Sequence, residues 1–190
     1  MNKRIIGLNM AGDTLTLIIR TIGEVFAFIL LLRFLLQASG ADYYNPISQS
    51  VVRFTQMPLA PLQKLLPRMG RLDISPLVLA FVVKVAVVVA IIFLTQGSIP
   101  SMVGAALYGL FGVLDGILTI YFWAVIGSVI LSWVAPNSYH PGPQLIMQIT
   151  EPVFSLARKV IPPIGGLDLS PILIFLVIQI LQSQITRLVM

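Results

Sequence analysis

LLPRMGRLDISP, residues 65–76, recurs as VIPPIGGLDLSP at residues 160–171. Outward from these stretches the likeness continues at one gapless offset of 95 positions. Pro46 matches Pro141, Gln49 matches Gln144, Thr55 matches Thr150 and Lys64 matches Lys159. Inside the signature, Pro67, Gly70, Leu72, Asp73, Ser75 and Pro76 match Pro162, Gly165, Leu167, Asp168, Ser170 and Pro171. The first copy departs at Arg68 and Arg71, where the second has Pro163 and Gly166. A register held this long means duplication of one helix–loop–helix unit.

The solvent of that unit follows from composition. Of 190 residues 57% are hydrophobic and only 10% charged, against about 25% charged in a soluble domain. Twelve basic and seven acidic residues cannot solvate a globular surface, which excludes a water-soluble enzyme and a disordered tail. With no cysteine, a disulfide scaffold, a thiolate metal site, an iron–sulfur cluster and a thiol nucleophile are also excluded. The net charge of +5 is modest and scattered, so no nucleic-acid partner is expected. Residues 85–114, 116–150 and 169–186 carry no charge at all. About 20 mainly apolar residues span a bilayer, and unpaired backbone is not tolerated there. Four transmembrane helices are therefore expected, near Leu15–Leu36, Pro76–Thr95, Gly112–Ala135 and Ser170–Val189.

This divides the chain into an N-terminal segment (1–14), a first repeat (15–95), an apolar linker (96–111) and a second repeat (112–190). The stretch Ile99–Phe111 reads as an interfacial or re-entrant piece, or as an early start of the third helix. Lys3, Arg4 and the small residues Ala38–Ala41 loosely resemble a signal peptide. The apolar run between them is too long and is broken by Arg20, Glu24 and Arg33, so it reads as a retained span.

The pattern resembles the YggT family over essentially the whole chain. The resemblance rests on NPISQ at 45–49, on Thr-Gln or Thr-Glu before the amphipathic stretch, and on P-x-x-G-x-L-D-x-S-P. It implies a small integral membrane protein of bacteria, with relatives in plastids. Such relatives are connected with osmotic tolerance, ion uptake, cell division, nucleoid placement and haem attachment to a membrane cytochrome. No settled catalytic or transport mechanism comes with the family.

With four spans, both repeat loops lie on one side of the membrane. They hold Arg53, Lys64, Arg68, Arg71, Arg158 and Lys159, against Lys3, Arg4 and Arg187 opposite. The positive-inside rule then places the loops in the cytoplasm, of a bacterial inner membrane if the family resemblance holds. Two parallel copies imply an approximate two-fold axis along the membrane normal. In the second loop Ile146, Ile149, Val153, Leu156 and Val160 recur at helical spacing. In the first, Ile47, Val51, Phe54, Leu62, Leu65 and Leu66 do the same, broken by Pro58 and Pro61. Each loop thus carries an interfacial amphipathic helix, its basic side chains toward anionic headgroups of the bilayer, or simply covering the bundle. Thr55 and Thr150 are the expected N-caps, with proline in the following turn. Tyr43, Tyr44, Trp133 and Tyr139 cluster near the loop-side ends of the spans, as an aromatic belt does.

The aspartate and serine of the signature suggest catalysis, but the same residues make a helix start. Ser75-Pro76 and Ser170-Pro171 place a capping hydroxyl before a first-turn proline. Asp73 and Asp168 sit where a carboxylate meets free N–H groups, while Gly70 and Gly165 supply the turn. No second acid, base or histidine accompanies them, and a lone His140 makes no metal site. No catalytic set, metal or cofactor is expected.

Intramembrane charge is costly and by default functional. Arg20 and Glu24 are spaced for pairing on one helix face. Lys84 lies about 12 Å and Glu24 about 18 Å from the loop side, a difference that a lysine side chain bridges. Arg20 and Asp115 are equivalent positions of opposite charge, able to meet across the repeat interface. Gln179, Gln182, Ser183 and Thr186 form a polar stripe on the fourth span. One reading makes these groups structural, together with small-residue contacts at Gly112/Gly116 and Ser128/Ser132 that also invite homo-oligomers. The other lets Glu24, Lys84 and the glutamines line a narrow ion or water route. The expected function is a non-enzymatic scaffold or assembly factor with an unidentified membrane-protein partner. A small oligomeric channel or transporter component is the alternative.

Overall fold

The computed structural model describes residues 2–66, 72–136, 138–163 and 168–189, with side chains from Asp13 to Leu188. Six helices follow one another: α1 (Asn2–Ala38), α2 (Pro46–Leu65), α3 (Ser75–Gln96), α4 (Met102–Val134), α5 (Pro141–Val160) and α6 (Ser170–Val189). Four contain stretches long and apolar enough to cross a membrane: Asp13–Ala38, Ser75–Gln96, Met102–Val134 and Ser170–Leu188. The loop helices α2 and α5 are short, prolyl-started and amphipathic.

The third span starts ten residues before the position expected from composition. Ser101 caps it, its hydroxyl accepting from the Gly104 N–H, so residues 102–111 belong to α4 and form no separate crossing. At 1.5 Å per residue its 33 residues run about 50 Å, longer than a hydrocarbon core of about 30 Å. With no extra crossing, α2 and α5 lie on the same side and the copies run parallel.

Apolar burial falls into three clusters. Leu30, Leu31, Leu35, Leu59, Ala80, Val113 and Ile120 join the first repeat to α4. Val125, Phe154, Ala157, Ile174 and Ile178 centre the second repeat. Leu36, Val51, Leu145 and Ile149 bring α1, α2 and α5 together at the loop side. Among the described residues, α6 packs on α4 and α5 and reaches neither α1 nor α3. Among the described residues the four spans therefore do not close into a ring.

The two span pairs are packed unequally, for a reason visible in one residue. A Cβ at Gly23 would fall inside the Val87 side chain, so glycine allows α1 and α3 to touch. The equivalent residue of α4 is Leu118. It lines an apolar groove of about 300 Å³ between α4, α5 and α6, with Val153, Leu156, Ile174 and Ile178. Small residues also serve contacts inside the chain: Gly112 lies against the aliphatic stem of Lys84 and Gly116 against Leu31.

The loop helices differ from expectation at their starts. Thr55 and Thr150 are not N-caps. They lie in the middle of α2 and α5, fully buried, and their hydroxyls donate to the Val51 and Ile146 carbonyls at 2.6 and 2.8 Å. The α2 cap is Asn45, ten residues earlier: its Oδ1 accepts from the Ile47 N–H at 2.9 Å, while His140 gives α5 no side-chain cap. Each helix is apolar over more than one stripe. Leu145, Ile149, Phe154 and Ala157 of α5 are buried on the bundle, whereas Leu156 and Val160 are exposed on the flank. In α2, Val51 and Leu59 are buried and Phe54 and Met57 are exposed. Tyr43, Tyr44, Trp133 and Tyr139 are all exposed.

Gly23→Ala should destabilise the protein by about 1–3 kcal/mol, the cost of forcing a methyl into a filled contact. Gly104→Ala, with no neighbour closer than 3.8 Å, should be neutral or slightly stabilising. Thermal unfolding of the detergent-solubilised chain compares the two.

Candidate functional site

The repeat signature resolves into a hydrogen-bonded chain that the two copies build alike. Asp73 Oδ1 accepts from the Ser75 N–H at 2.9 Å, and Asp168 Oδ1 accepts from the Ser170 N–H at 2.9 Å. Of the two groups expected at the helix start, the carboxylate accepts the N–H and the serine hydroxyl does not cap. The physical reason is position. The first free N–H of each span lies two residues beyond the aspartate, within reach of an Asx turn. Proline follows and has no N–H to offer. The Ser75 and Ser170 hydroxyls are buried and make no hydrogen bond among the described residues.

The second oxygen of each aspartate reaches back to the loop helix. Gln63 Nε2 donates to Asp73 Oδ2 at 2.6 Å. At the equivalent position Arg158 Nε donates to Asp168 Oδ2 at 3.0 Å. One step further, Gln56 donates to Gln63 at 3.0 Å, and Arg158 Nη1 meets Glu151 at 3.2 Å. The chains are Gln56–Gln63–Asp73, with the carboxylate as its one charge, and Glu151–Arg158–Asp168, charged at every member. Arg158 also stacks over Phe154 at 5.4 Å. Pro67, Gly70, Arg68, Arg71 and Gly165 lie outside the described residues. Pro162 is exposed, and Pro76 and Pro171 sit in the first turns of their spans.

Both aspartates are held below the ordinary carboxylate range. For Asp73 burial pushes upward, but the hydrogen bonds from Ser75 and Gln63 and the charge of Arg33 outweigh it. For Asp168 burial likewise pushes upward and is outweighed by Ser170 and by Arg158.

Within the spans, each copy ties its two helices by one polar contact. Glu24 pairs with Lys84 rather than with Arg20. The lysine side chain is 11% exposed and the glutamate 44%. Arg20 is exposed. In the second copy Gln182 Nε2 donates to Asp115 Oδ1 at 3.0 Å and to Thr119 Oγ1 at 3.1 Å. Asp115 and Arg20 therefore do not meet across the repeat interface; Asp115 is held inside its own repeat. Gln179 and Ser183 are exposed on the outside of α6.

Two residues were passed over at the level of sequence. Arg33 stands in the sequence only as a break in the first apolar run, yet Nη1 donates to the Val52 carbonyl at 3.2 Å and to Thr55 Oγ1 at 2.7 Å, and Nη2 to Gln56 Oε1 at 2.8 Å. Gln63 drew no attention because it is neutral; its equivalence to Arg158 was the available signal. Asn45 joins the copies: its Nδ2 donates to the Pro141 carbonyl at 2.9 Å. The Asp42 N–H donates to Gln148 Oε1 at 3.0 Å. Arg53, Lys64 and Lys159 are exposed on the loop helices and Arg158 is half-buried. Among the described residues no group of His, Asp or Glu is arranged to hold a metal ion.

Glu24→Leu leaves the Lys84 ammonium buried and should cost about 3 kcal/mol or more, while the Glu24→Leu/Lys84→Leu double variant should recover most of it. Chemical denaturation of the four proteins of that cycle measures the coupling. The aspartates set an acid limb. A depressed folded-state pKa gives stabilisation that is complete above the unfolded value near 3.8 and is lost as pH falls through the folded value. Stability should therefore fall below pH 3.8 and lose much of that fall in Asp73→Asn/Asp168→Asn. The more buried Asp73 should carry the larger share, as solvent screens Asp168.

Comparison with known proteins places this architecture. The CCB3/YggT family pattern matches residues 12–94 and again 107–189. An uncharacterised protein of Pseudomonas aeruginosa is 42% identical, over 93% of this chain and 88% of its own. The uncharacterised YggT of Escherichia coli strain K12 is 30% identical, over 92% of this chain and 90% of its own. The uncharacterised ycf19 protein of Guillardia theta is 30% identical over 80 residues, 42% of this chain but 88% of its own length. That relative has the size of one repeat. No solved structure matches. Two tandem matches, four apolar spans and bacterial relatives along nearly the whole length make this a multi-pass membrane protein, and the chain belongs to the CCB3/YggT family.

Proposed function

We propose that the chain is a non-enzymatic scaffold or assembly factor of the bacterial inner membrane, serving envelope maintenance under osmotic stress or at division. The observation that carries this reading is the joining of α2 and α5 into one layer by Asn45–Pro141 and Asp42–Gln148. A single loop-side platform results, with Arg53, Lys64 and Lys159 exposed on it. The excess of basic residues in the loops favours the cytoplasmic side for that platform. Its exposed apolar flank, Phe54, Met57, Leu156 and Val160, suits the acyl boundary, and its basic groups suit anionic headgroups.

A second reading, a small oligomeric ion or osmolyte channel or transporter component, draws on the Glu24 carboxylate. Its side chain is 44% exposed on a membrane-spanning helix, a costly place that a second copy would cover. Any conducting route would lie between copies.

Photo-crosslinking residues placed at Arg53, Lys64 and Lys159 should capture one reproducible protein adduct in living cells, absent when the probe sits at Val82 on the lipid-facing side of α3. Proteoliposomes should show no ion flux above protein-free vesicles. Flux abolished by Glu24→Gln, with no adduct, would replace the scaffold by the channel.

A further inference from the structure

The first repeat contains a polar cavity whose chemistry the second repeat does not reproduce. It measures about 410 Å³ and is lined by Arg33, Gln37, Tyr43, Ser48, Gln63 and Asp73, among others. Among the described residues its walls carry one cation, Arg33, and one anion, Asp73. Arg33 spends three N–H groups on Val52, Thr55 and Gln56. A guanidinium has five, so among the described residues its Nε–H and one Nη2–H meet no acceptor. Asp73, 7% exposed, receives among the described residues one neutral side-chain donor, Gln63, and one backbone N–H. Among the described residues Arg33 and Asp73 form no ion pair. The Ser48 hydroxyl, in a residue 4% exposed, is buried on the same wall with no partner. A buried hydroxyl left unmet is expensive, and here it stands beside two charges that protein groups only partly satisfy.

The second repeat supplies the contrast. Arg33 is replaced by Ser128, and Gln63 by Arg158, which neutralises Asp168 directly. Among the described residues, opposite charges held apart across a cavity are confined to the first copy. Arg33 lies five residues from the loop-side end of α1, about 7.5 Å along the helix axis. That puts it near the loop-side end of the span, with Tyr43 lining the cavity alongside.

We propose that this cavity is a binding site for a phosphate ester carrying a primary ammonium, the chemistry of ethanolamine phosphate. The phosphate meets the free edge of Arg33, whose planar fork suits phosphate oxygens. The ammonium meets the remaining lone pairs of Asp73, and Ser48 completes the phosphate shell. The group can arrive as a phospholipid headgroup or as the free soluble ester. A trimethylated headgroup has no N–H for Asp73, and a glycerol headgroup has no cation.

The test uses the full chain in detergent with phosphatidylethanolamine, phosphatidylcholine and phosphatidylglycerol of matched acyl chains, bound lipid being counted by native mass spectrometry. The ethanolamine lipid should be retained about tenfold or more over the other two, as befits a charge-assisted hydrogen bond. Arg33→Gln should weaken retention of all three. Gln63→Arg copies the contact that is native in the second repeat, so it should fold normally; it should bring the ethanolamine-to-choline ratio close to one by neutralising Asp73. Arg158→Gln should leave that ratio unchanged. Competition by soluble phosphoethanolamine would assign the site to the free ester as well, and its failure to compete would assign it to the lipid. Equal retention of the three lipids, or a ratio unmoved by Gln63→Arg, overturns the proposal.

Discussion

A backbone that enters hydrocarbon must leave no N–H unmet, and the signature aspartate of each repeat meets that constraint. Ser75 and Ser170 open their spans, a proline without an N–H follows, and the carboxylate two residues earlier accepts the free N–H. Had the cap been a serine hydroxyl, its reach would have ended there. A carboxylate has a second oxygen, and in both copies that oxygen holds a residue of the preceding loop helix. One side chain therefore starts the span and anchors the amphipathic helix to it. The loop helices, the platform they form and the cavity beneath Arg33 all depend on that double use.

The copies keep this geometry and exchange its chemistry. Gln56–Gln63–Asp73 is neutral along its length except for the carboxylate, whereas Glu151–Arg158–Asp168 is an ion network. Inside the membrane the same exchange runs the other way. The first copy uses the ion pair Glu24–Lys84, and the second uses Gln182 with Asp115 and Thr119. Steric detail diverges too: Gly23 lets α1 and α3 touch, and its equivalent Leu118 lines the groove between α4, α5 and α6. A duplicated unit has thereby acquired one tight half and one grooved half. α4 joins the two halves, packing on α1, α3 and α6.

Much of this was legible in the sequence because lipid leaves few options. The four spans follow from charge-free runs, and the duplication from one constant offset. Details that depend on which partner a side chain meets were not legible. Thr55 and Thr150 looked like caps because prolines follow them; α2 and α5 begin nine residues or so earlier, and the threonines turn back on their own helices. The start of α4 was hidden because Ile99–Phe111 is apolar yet continuous with the span. The i, i+4 spacing of Arg20 and Glu24 was a local signal that a more buried partner, Lys84, overrode. Arg33 is in the sequence only a break in an apolar run, and the packing of α2 against α1 gives it acceptors.

The shared loop-side layer is tested most directly by cross-linking, since the chain has no cysteine of its own. Asp42→Cys and Gln148→Cys in one chain, in native membranes, should be bridged by a short bifunctional thiol reagent within a monomer. Arg20→Cys with Gln179→Cys, on helices that do not touch, should not be bridged. Failure of the first pair to link, or linkage only between separate chains, would contradict a platform built by α2 and α5 together.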